Sequence, residues 1–352
     1  MLEEQCSGFC LAILFLAAAL IFILNLVIRK TTKMCQSQGR LDGRLVVITG
    51  ANSGIGLETT IDLVRRGATI VLACRDITLG DAAKKKILKE YGEDRIDHNG
   101  PLFQNSALNA RPYYTPVKPD QLIVEQIDLS SLESVRQFAE RVKSRHRKID
   151  YLINNAGIYM QPFGRTREGF ERNVGVNYLG PFLLTLLLLP SIKEAGAQSG
   201  ARIVNVSSLA HRFGKLPELF PEHPEKQREI YWRFQAYADS KLAQVIHARE
   251  LARRLQGTGV CAVSLHPGTC ATNILRIPII RTIARIFGIL FLKTAREGAQ
   301  TTIHVIMSSR IQNGGYYSDC DLAESHPLAD DEVIAKKFWK SSERAVDCFI
   351  DS

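Results

Sequence analysis

The amino-acid sequence predicts an α/β protein built on a single doubly wound parallel sheet with helices on both faces. Two patterns carry that expectation. Residues 43–76, GRLVVITGANSGIGLETTIDLVRRGATIVLACRD, run from an apolar β-type stretch through a glycine-rich turn and an amphipathic helix into a second β-branched stretch, which is a βαβ unit. Strand-like and helix-like segments then alternate through most of the chain, as they do where a parallel sheet is covered on both sides. A hydrophobic content of 45% is ample for a globular core and excludes disorder as the main state.

The chain begins with a different kind of segment. From Cys6 to Ile28 no residue is charged, and SGFCLAILFLAAALIFILNLVI can span a hydrocarbon core of about 30 Å at about 1.5 Å per residue. Residues 7–28 are therefore expected to form one N-terminal transmembrane helix. A cleaved secretory signal would need positive charge ahead of a shorter apolar region. Here Glu3 and Glu4 precede it, while Arg29, Lys30, Lys33, Arg40 and Arg44 follow. That asymmetry predicts an uncleaved single-pass anchor with the large domain in the cytosol, the endoplasmic reticulum being the expected membrane.

A linker over 29–43 leads into the expected α/β domain, 44–330. Residues 81–90 suggest a helix. Residues 92–121 hold four prolines (Pro101, Pro112, Pro116, Pro119) and no periodicity, and read as an inserted surface loop. LIVEQIDLS then reads as a strand, and 132–147 as a helix with Val135, Phe138, Ala139 and Val142 on one face. Next come YLINNAG as a strand, a long helix over 168–194, ARIVNVSS as a strand, a helix over 232–256 and VCAVSLHPG as a strand. Residues 331–352 are expected to end the chain as a helix.

Charge and cysteine usage narrow the function. The net charge of +9 comes from basic residues scattered among acidic ones, with no clustered stripe, so nucleic acid is not an expected partner. The eight cysteines include no C-x-x-C pair and no metal-ligand spacing with histidine; a reduced compartment fits, and no metal site is expected. Cys74 and Cys261 fall in strand-like segments, where a thiol serves as a small hydrophobe.

TGANSGIG, residues 49–56, places Gly50, Gly54 and Gly56 between a strand and a helix, with Ser53 and Ile55 among them. Glycine permits the tight turn and a close approach of backbone to phosphate, and the helix start offers unpaired N–H groups. A dinucleotide site is expected, with G-x-x-x-G-x-G spacing rather than G-x-G-x-x-G. The following strand ends in ACRD. Arg75 suits a ribose 2′-phosphate and so favours NADP(H); Asp76 is either the next helix's N-cap or a ribose ligand itself. Further on, Tyr237 and Lys241 stand four apart on one helix face, either a solvated surface pair or the working end of an enzyme.

TGANSGIG, NNAG at 154–157, NVSS at 205–208, YADSK at 237–241 and HPG at 266–268 occur together in one order, and over about residues 42–320 the chain resembles the short-chain dehydrogenase/reductase family. ANSGIG, VLACRD, GRTREGFERNVGVNYLGPFLLTLLLLP and ARELARRLQGTGV resemble the membrane-anchored retinol dehydrogenases of that family. The resemblance implies a Rossmann-type fold and residue roles. Tyr237 would be the general acid/base, Lys241 would favour its phenolate and hold the nicotinamide ribose, Ser208 would bond the substrate oxygen, and Asn177 would support a proton-relaying water. Ser207 competes with Ser208, since only one of two adjacent strand residues faces the cleft. Asp128 resembles the adenine contact, with a helix cap as the alternative. Asn154, Ala156 and Gly157 would lie along the cofactor, as would Pro267 and Gly268, and Thr272 would bind the carboxamide.

Residues 274–292 are dense in Ile, Leu and Phe around Arg276, Arg281 and Arg285. They read either as core-packed helices or, within 272–296, as a substrate lid resting on the bilayer. An apolar wall beside a membrane anchor implies a lipophilic alcohol or carbonyl such as a retinoid, sterol or lipid aldehyde. Carbonyl reduction is the expected net direction, and a homo-oligomer is compatible with the sequence. A catalytically silent NADP-binding scaffold is the competing class.

Overall fold

The structure is a computed structural model that describes residues 32–93, 113–216, 228–229, 231–270 and 293–350. Its parallel strands are β1 (Leu45–Thr49), β2 (Thr69–Cys74), β3 (Leu122–Gln126), β4 (Tyr151–Asn154), β5 (Ala201–Val206), β6 (Val260–His266) and β7 (Tyr316–Ser318), and β8 (Asp321–Ala323) closes the edge antiparallel to β7. The order is β3-β2-β1-β4-β5-β6-β7-β8. The chain winds outward from β1 to β3 and then returns to place β4 on the other side of β1. A crevice opens where the winding reverses, at the carboxyl ends of the strands.

The helices are α1 (Gly54–Arg65), α2 (Ile77–Tyr91), α3 (Leu132–Arg145), α4 (Gly180–Ser199), α5 (Arg233–Arg254), α6 (Ala295–Met307) and α7 (Glu332–Val346). Side chains alternate across the sheet, so Val47, Val71, Leu152, Ile203 and Ala262 face α3, α4, α5 and α7. Val46, Ile48, Ile70, Leu72, Val204 and Val263 face α1, α2 and α6. Both sides being buried explains why the central strands read as continuous apolar runs. On α3 the face of Val135, Phe138, Ala139 and Val142 is buried as its periodicity requires, and Ser131 caps its first turn through Ser134 N–H.

Residues 172–199 are long and apolar enough to cross a membrane, but most of that helix is buried inside the fold, which makes it the core helix of the α3–α4–α5 layer. The expected anchor, residues 7–28, lies outside the described residues. The expected long helix at 168–194 begins at Arg172, passes through a π turn at Gly175–Leu179 and continues as α4. Helix α6 and strands β7 and β8 were not resolved by the sequence pattern.

Two stretches expected as loop or linker are packed. The insert is closed at its base by a bridge between Gly92 and Val117, and Val117 is buried. Tyr113 and Tyr114 stack on the guanidinium of Arg66, at 4.4 and 5.4 Å from its carbon. Arg66 is itself fully buried; it pairs with Asp62 and donates to the carbonyls of Ser37 and Gly39 at 3.0 Å each. One side chain thus joins α1, the end of the insert and the linker.

Candidate active site

The glycine turn follows β1 at the reversal point. Gly50 and Gly54 have positive φ (68° and 55°), a conformation that glycine adopts without strain. Gly56 is required for space: a Cβ there would lie 2.3 Å from the Gly50 carbonyl oxygen and 2.5 Å from Asn155 Nδ2. Asn155 pins the turn from β4, its amide donating to Thr49 O at 2.8 Å. Ser53 precedes α1 without a side-chain cap, so the N–H groups of the first turn point into the crevice unclaimed by it. The Ile55 side chain turns away and packs on Cys35, Ala299 and Ile303, leaving only its backbone in the turn.

At the end of β2, Asp76 caps α2, accepting from Thr78 and Leu79 N–H at 2.9 and 3.2 Å. Arg75 beside it is exposed. Cys74 is buried beneath the turn, and burial pushes its thiol up to about 11 despite N–H groups of Ala51 and Asn52 at the sulfur; Cys261 is only half-buried. Asp128 closes the β3–α3 turn by accepting from Ser130 N–H at 2.9 Å, while Ser131 is the cap of α3.

Asn177, Ser208, Tyr237 and Lys241 converge beyond the ends of β4 and β5. Tyr237 is buried and stacked edge-on against Tyr159 at 4.8 Å. Ser207 is buried and donates to the Lys241 carbonyl at 2.7 Å, whereas Ser208 is half-buried. Lys241 Nζ lies 5.8 Å from the Tyr237 ring centre and donates to Val206 O and Gln244 Oε1, each at 2.9 Å. Burial dominates both groups, holding the phenol up at about 12 and the ammonium down at about 7. The Ser208 hydrogen bond opposes the rise at the phenol. The lowering of Tyr237 implied for a cationic neighbour is not found: burial raises the phenol and only Ser208 opposes it.

Asn177 sits in the π turn, a helix irregularity common at functional sites. Its amide clasps Ile158, accepting from N–H at 2.8 Å and donating to C=O at 3.0 Å, and also donates to Ser240 Oγ at 3.0 Å. Ser240 Oγ in turn donates to the Tyr237 carbonyl at 2.7 Å. Gly157 lies between the functional ends: its Cβ would meet Asn177 Oδ1 at 3.2 Å and Lys241 Nζ at 3.4 Å. Ala156 backs onto Thr49, whose hydroxyl accepts the Ala156 N–H at 3.0 Å.

The Asn154 side chain points inward, donating to Thr185 and Asn205, so any cofactor contact falls to its backbone. Pro267 is buried and Gly268, at φ 86°, packs on the Lys293 side chain, which pairs with Asp319. Thr272 lies outside the described residues. Sequence reasoning missed Gln244, one turn beyond Lys241, and Asn155; an i, i+3 polar partner to a buried lysine was a legible signal for the first. A nicotinamide dinucleotide fits this arrangement, because a cradle cleared of Cβ atoms, an uncapped helix start and a buried lysine held only by oxygen acceptors occupy one crevice.

A family model described as short chain dehydrogenase matches residues 109–217. Human retinol dehydrogenase 12 is 40% identical over 312 residues, covering 88% of each chain. The chain belongs to the short-chain dehydrogenase/reductase family. Mouse retinol dehydrogenase 11 is 37% identical over 335 residues, 93% of this chain and 95% of that one. Among solved structures, an uncharacterized protein from Mycobacterium paratuberculosis is 30% identical with a TM-score of 0.65, covering 89% of this chain and 98% of that one. The fold is shared with a Pseudomonas aeruginosa RhlG complex with NADP (TM-score 0.56, 19% identity, covering 79% and 95%) and a Brucella melitensis 3-ketoacyl-(acyl-carrier-protein) reductase complex with NADH (TM-score 0.55, 24% identity, covering 79% and 97%). The chain is thus an oxidoreductase of this family related to the retinol dehydrogenases.

Proposed function

We propose that the protein is a membrane-anchored oxidoreductase that moves a hydride between NADP(H) and a lipophilic alcohol or carbonyl, retinol/retinal being the leading pair. The single observation that carries the chemistry is the buried pair of Tyr237 and Lys241, with Lys241 Nζ 5.8 Å from the Tyr237 ring centre. The retinol dehydrogenase relatives, the apolar N-terminal sequence and the apolar 274–292 stretch support the substrate class and the membrane.

NADPH, when bound, supplies the hydride. The backbone of Gly50, Ser53, Gly54, Ile55 and Gly56 would receive the pyrophosphate at the start of α1, and Arg75 the 2′-phosphate, with Asp76 spent as a helix cap. Asp128, the 154–157 backbone, Pro267, Gly268 and Thr272 would line the remainder, and Lys241 would hold the ribose. Ser208 Oγ and Tyr237 Oη would meet on the substrate oxygen. A phenol held at about 12 is protonated at neutral pH, so Tyr237 rests ready to give its proton to a carbonyl oxygen. Once the proton has left, a cationic Lys241 stabilises the phenolate. The Asn177 amide is occupied by Ile158 and Ser240, so its part in a proton relay falls to its backbone in the π turn.

Tyr237→Phe tests the assignment: turnover falls by about 10²–10⁴-fold while NADPH affinity stays nearly unchanged. Normal turnover would refute the role. A panel of retinoids, sterols and lipid aldehydes, run separately with NADPH and NADH, assigns substrate and cofactor, and a strong NADH preference would overturn the argument from Arg75.

A further inference from the structure

The stretch between the apolar N-terminus and β1 lies against the domain as a strap. Lys33 pairs with Asp321 on β8, and the Lys33 carbonyl accepts from Cys320 Sγ at 3.7 Å. Cys35 N–H donates to Gln300 Oε1 at 3.1 Å, and its buried side chain packs on Ala299 and Ile303. Farther along, Ser37 and Gly39 accept from Arg66, and Leu41 N–H donates to the Arg66 carbonyl at 2.8 Å.

The direction of the strap follows from the topology. Asp321 lies opposite Ser318, and Ser318 lies beside His266, so Lys33 sits at the carboxyl edge of the parallel strands. Arg66 follows the end of α1, at the opposite edge, where β1 begins at Leu45. Eight residue steps from Lys33 to Leu41 cover about 26 Å, enough to cross the height of the sheet. The chain preceding Lys33 therefore leaves from the edge that carries Tyr237 and the glycine turn, although β1 itself starts at the far edge. Ile28 is five residues from Lys33, so the end of the apolar sequence lies at most about 18 Å from it.

An apolar surface lies on that same edge. Phe213 (58% exposed) and Trp232 (61%) both pack against Phe234, at 5.7 and 5.5 Å. Leu209 beside them is also exposed, and so are Arg212 and Arg233. Arg212 donates to the Glu324 carbonyl at 3.1 Å, just beyond the strand where the strap begins. Exposed aromatics flanked by arginines suit the headgroup region of a bilayer.

We infer that the strap, residues 33–41, orients the domain with its catalytic edge against the bilayer that holds its own N-terminal segment, seating Phe213 and Trp232 among the lipid headgroups. This rests on the reading of residues 7–28 as an anchor. A lipophilic substrate then reaches Tyr237 from lipid without crossing water.

The protein has two tryptophans, and Trp339 is buried in α7, so emission quenching reads Trp232 directly. Full-length protein is reconstituted in phosphatidylcholine vesicles with brominated acyl chains and checked by flotation. The expected result is loss of a large part of the wild-type emission, a quenchable component that is missing in Trp232→Phe. Failure to float removes the anchor and the inference with it. Flotation without Trp232 quenching overturns the orientation alone. Inserting about twelve Gly/Ser residues between Thr31 and Thr32 frees the domain by roughly 20 Å; quenching then falls while flotation persists. Quenching that survives the insertion would overturn the role of the strap.

Discussion

Gly56→Ala isolates the cradle from the rest of the protein. The new methyl would lie 2.3 Å from the Gly50 oxygen, 2.9 Å from the Gly50 carbonyl carbon and 2.5 Å from Asn155 Nδ2. Ordinary contacts to these atoms lie near 3.5 Å, so the glycine turn must move off α1 by about 1 Å, and two of the three obstacles are backbone that cannot swing aside. Overpacking of this kind costs about 1–3 kcal/mol. Most of that cost falls on the conformation that receives phosphate, so NADPH affinity drops by roughly 10- to 100-fold. Calorimetric titration of NADPH measures this, with thermal unfolding run alongside to establish that the variant is folded. Gly43→Ala is the control: Gly43 has a positive φ of 72° and nothing within 4 Å of a Cβ, so that variant loses about 1 kcal/mol of stability with binding unchanged. A folded Gly56→Ala protein that binds NADPH like wild type would refute the placement of the pyrophosphate at this turn.

Ser208→Ala and Ser207→Ala should part company: the first lowers kcat by about 10- to 100-fold, whereas the second loses about 1 kcal/mol of stability with kcat retained, and a kcat loss in the second alone would reverse the assignment. Gln244→Leu removes one of the two acceptors of Lys241 Nζ. With its cation less well held, Lys241 loses its proton at lower pH, so the high-pH limb of kcat/KM moves to lower pH; an unshifted limb would show that Gln244 only fills space. His211, His247 and His266 are buried, and burial lowers them to about 4, 3 and 4. Each folded value lies below the ordinary histidine value, so the unfolded chain binds protons that the native one refuses once pH falls below about 6.5. Stability therefore declines from about pH 6.5 toward 4, by up to about 3 kcal/mol per histidine. Urea midpoints at pH 7 and pH 5 that coincide would contradict this.

The parts of the molecule legible in the sequence are those whose determinants are local. Val46, Val47 and Ile48 read as a strand because both of their faces are covered, and the glycine turn declared itself by sitting between that strand and α1. Strand β7 and strand β8 have three residues each, too few for any period to register, and they are held by pairing with β6 and with each other. Helix α6 carried a signal that was passed over, the T-x-x-E of Thr294 and Glu297, which forms a reciprocal capping box. Tyr237 and Lys241 stand out by spacing and resemblance, but their electrostatics do not, because burial under Tyr159 and beside Val206 depends on a loop and a strand end distant in sequence. The linker was opaque for the same reason: its partners Arg66, Gln300 and Asp321 lie 27 to 288 positions away, and nothing in a polar, aperiodic stretch announces them.

The fully buried Arg66 bears on how a soluble version of this enzyme should be cut. Starting the chain at Leu45, where regular structure begins, would strip away the Ser37 and Gly39 carbonyls and leave the Arg66 guanidinium with Asp62 alone of its three acceptors. Each hydrogen bond lost from a charged group costs about 1.5–3 kcal/mol, a large fraction of the stability of a typical domain. A truncation that removes the apolar N-terminal segment but begins at Thr32 keeps those acceptors, so the choice of first residue sets how much of the domain's stability survives the cut.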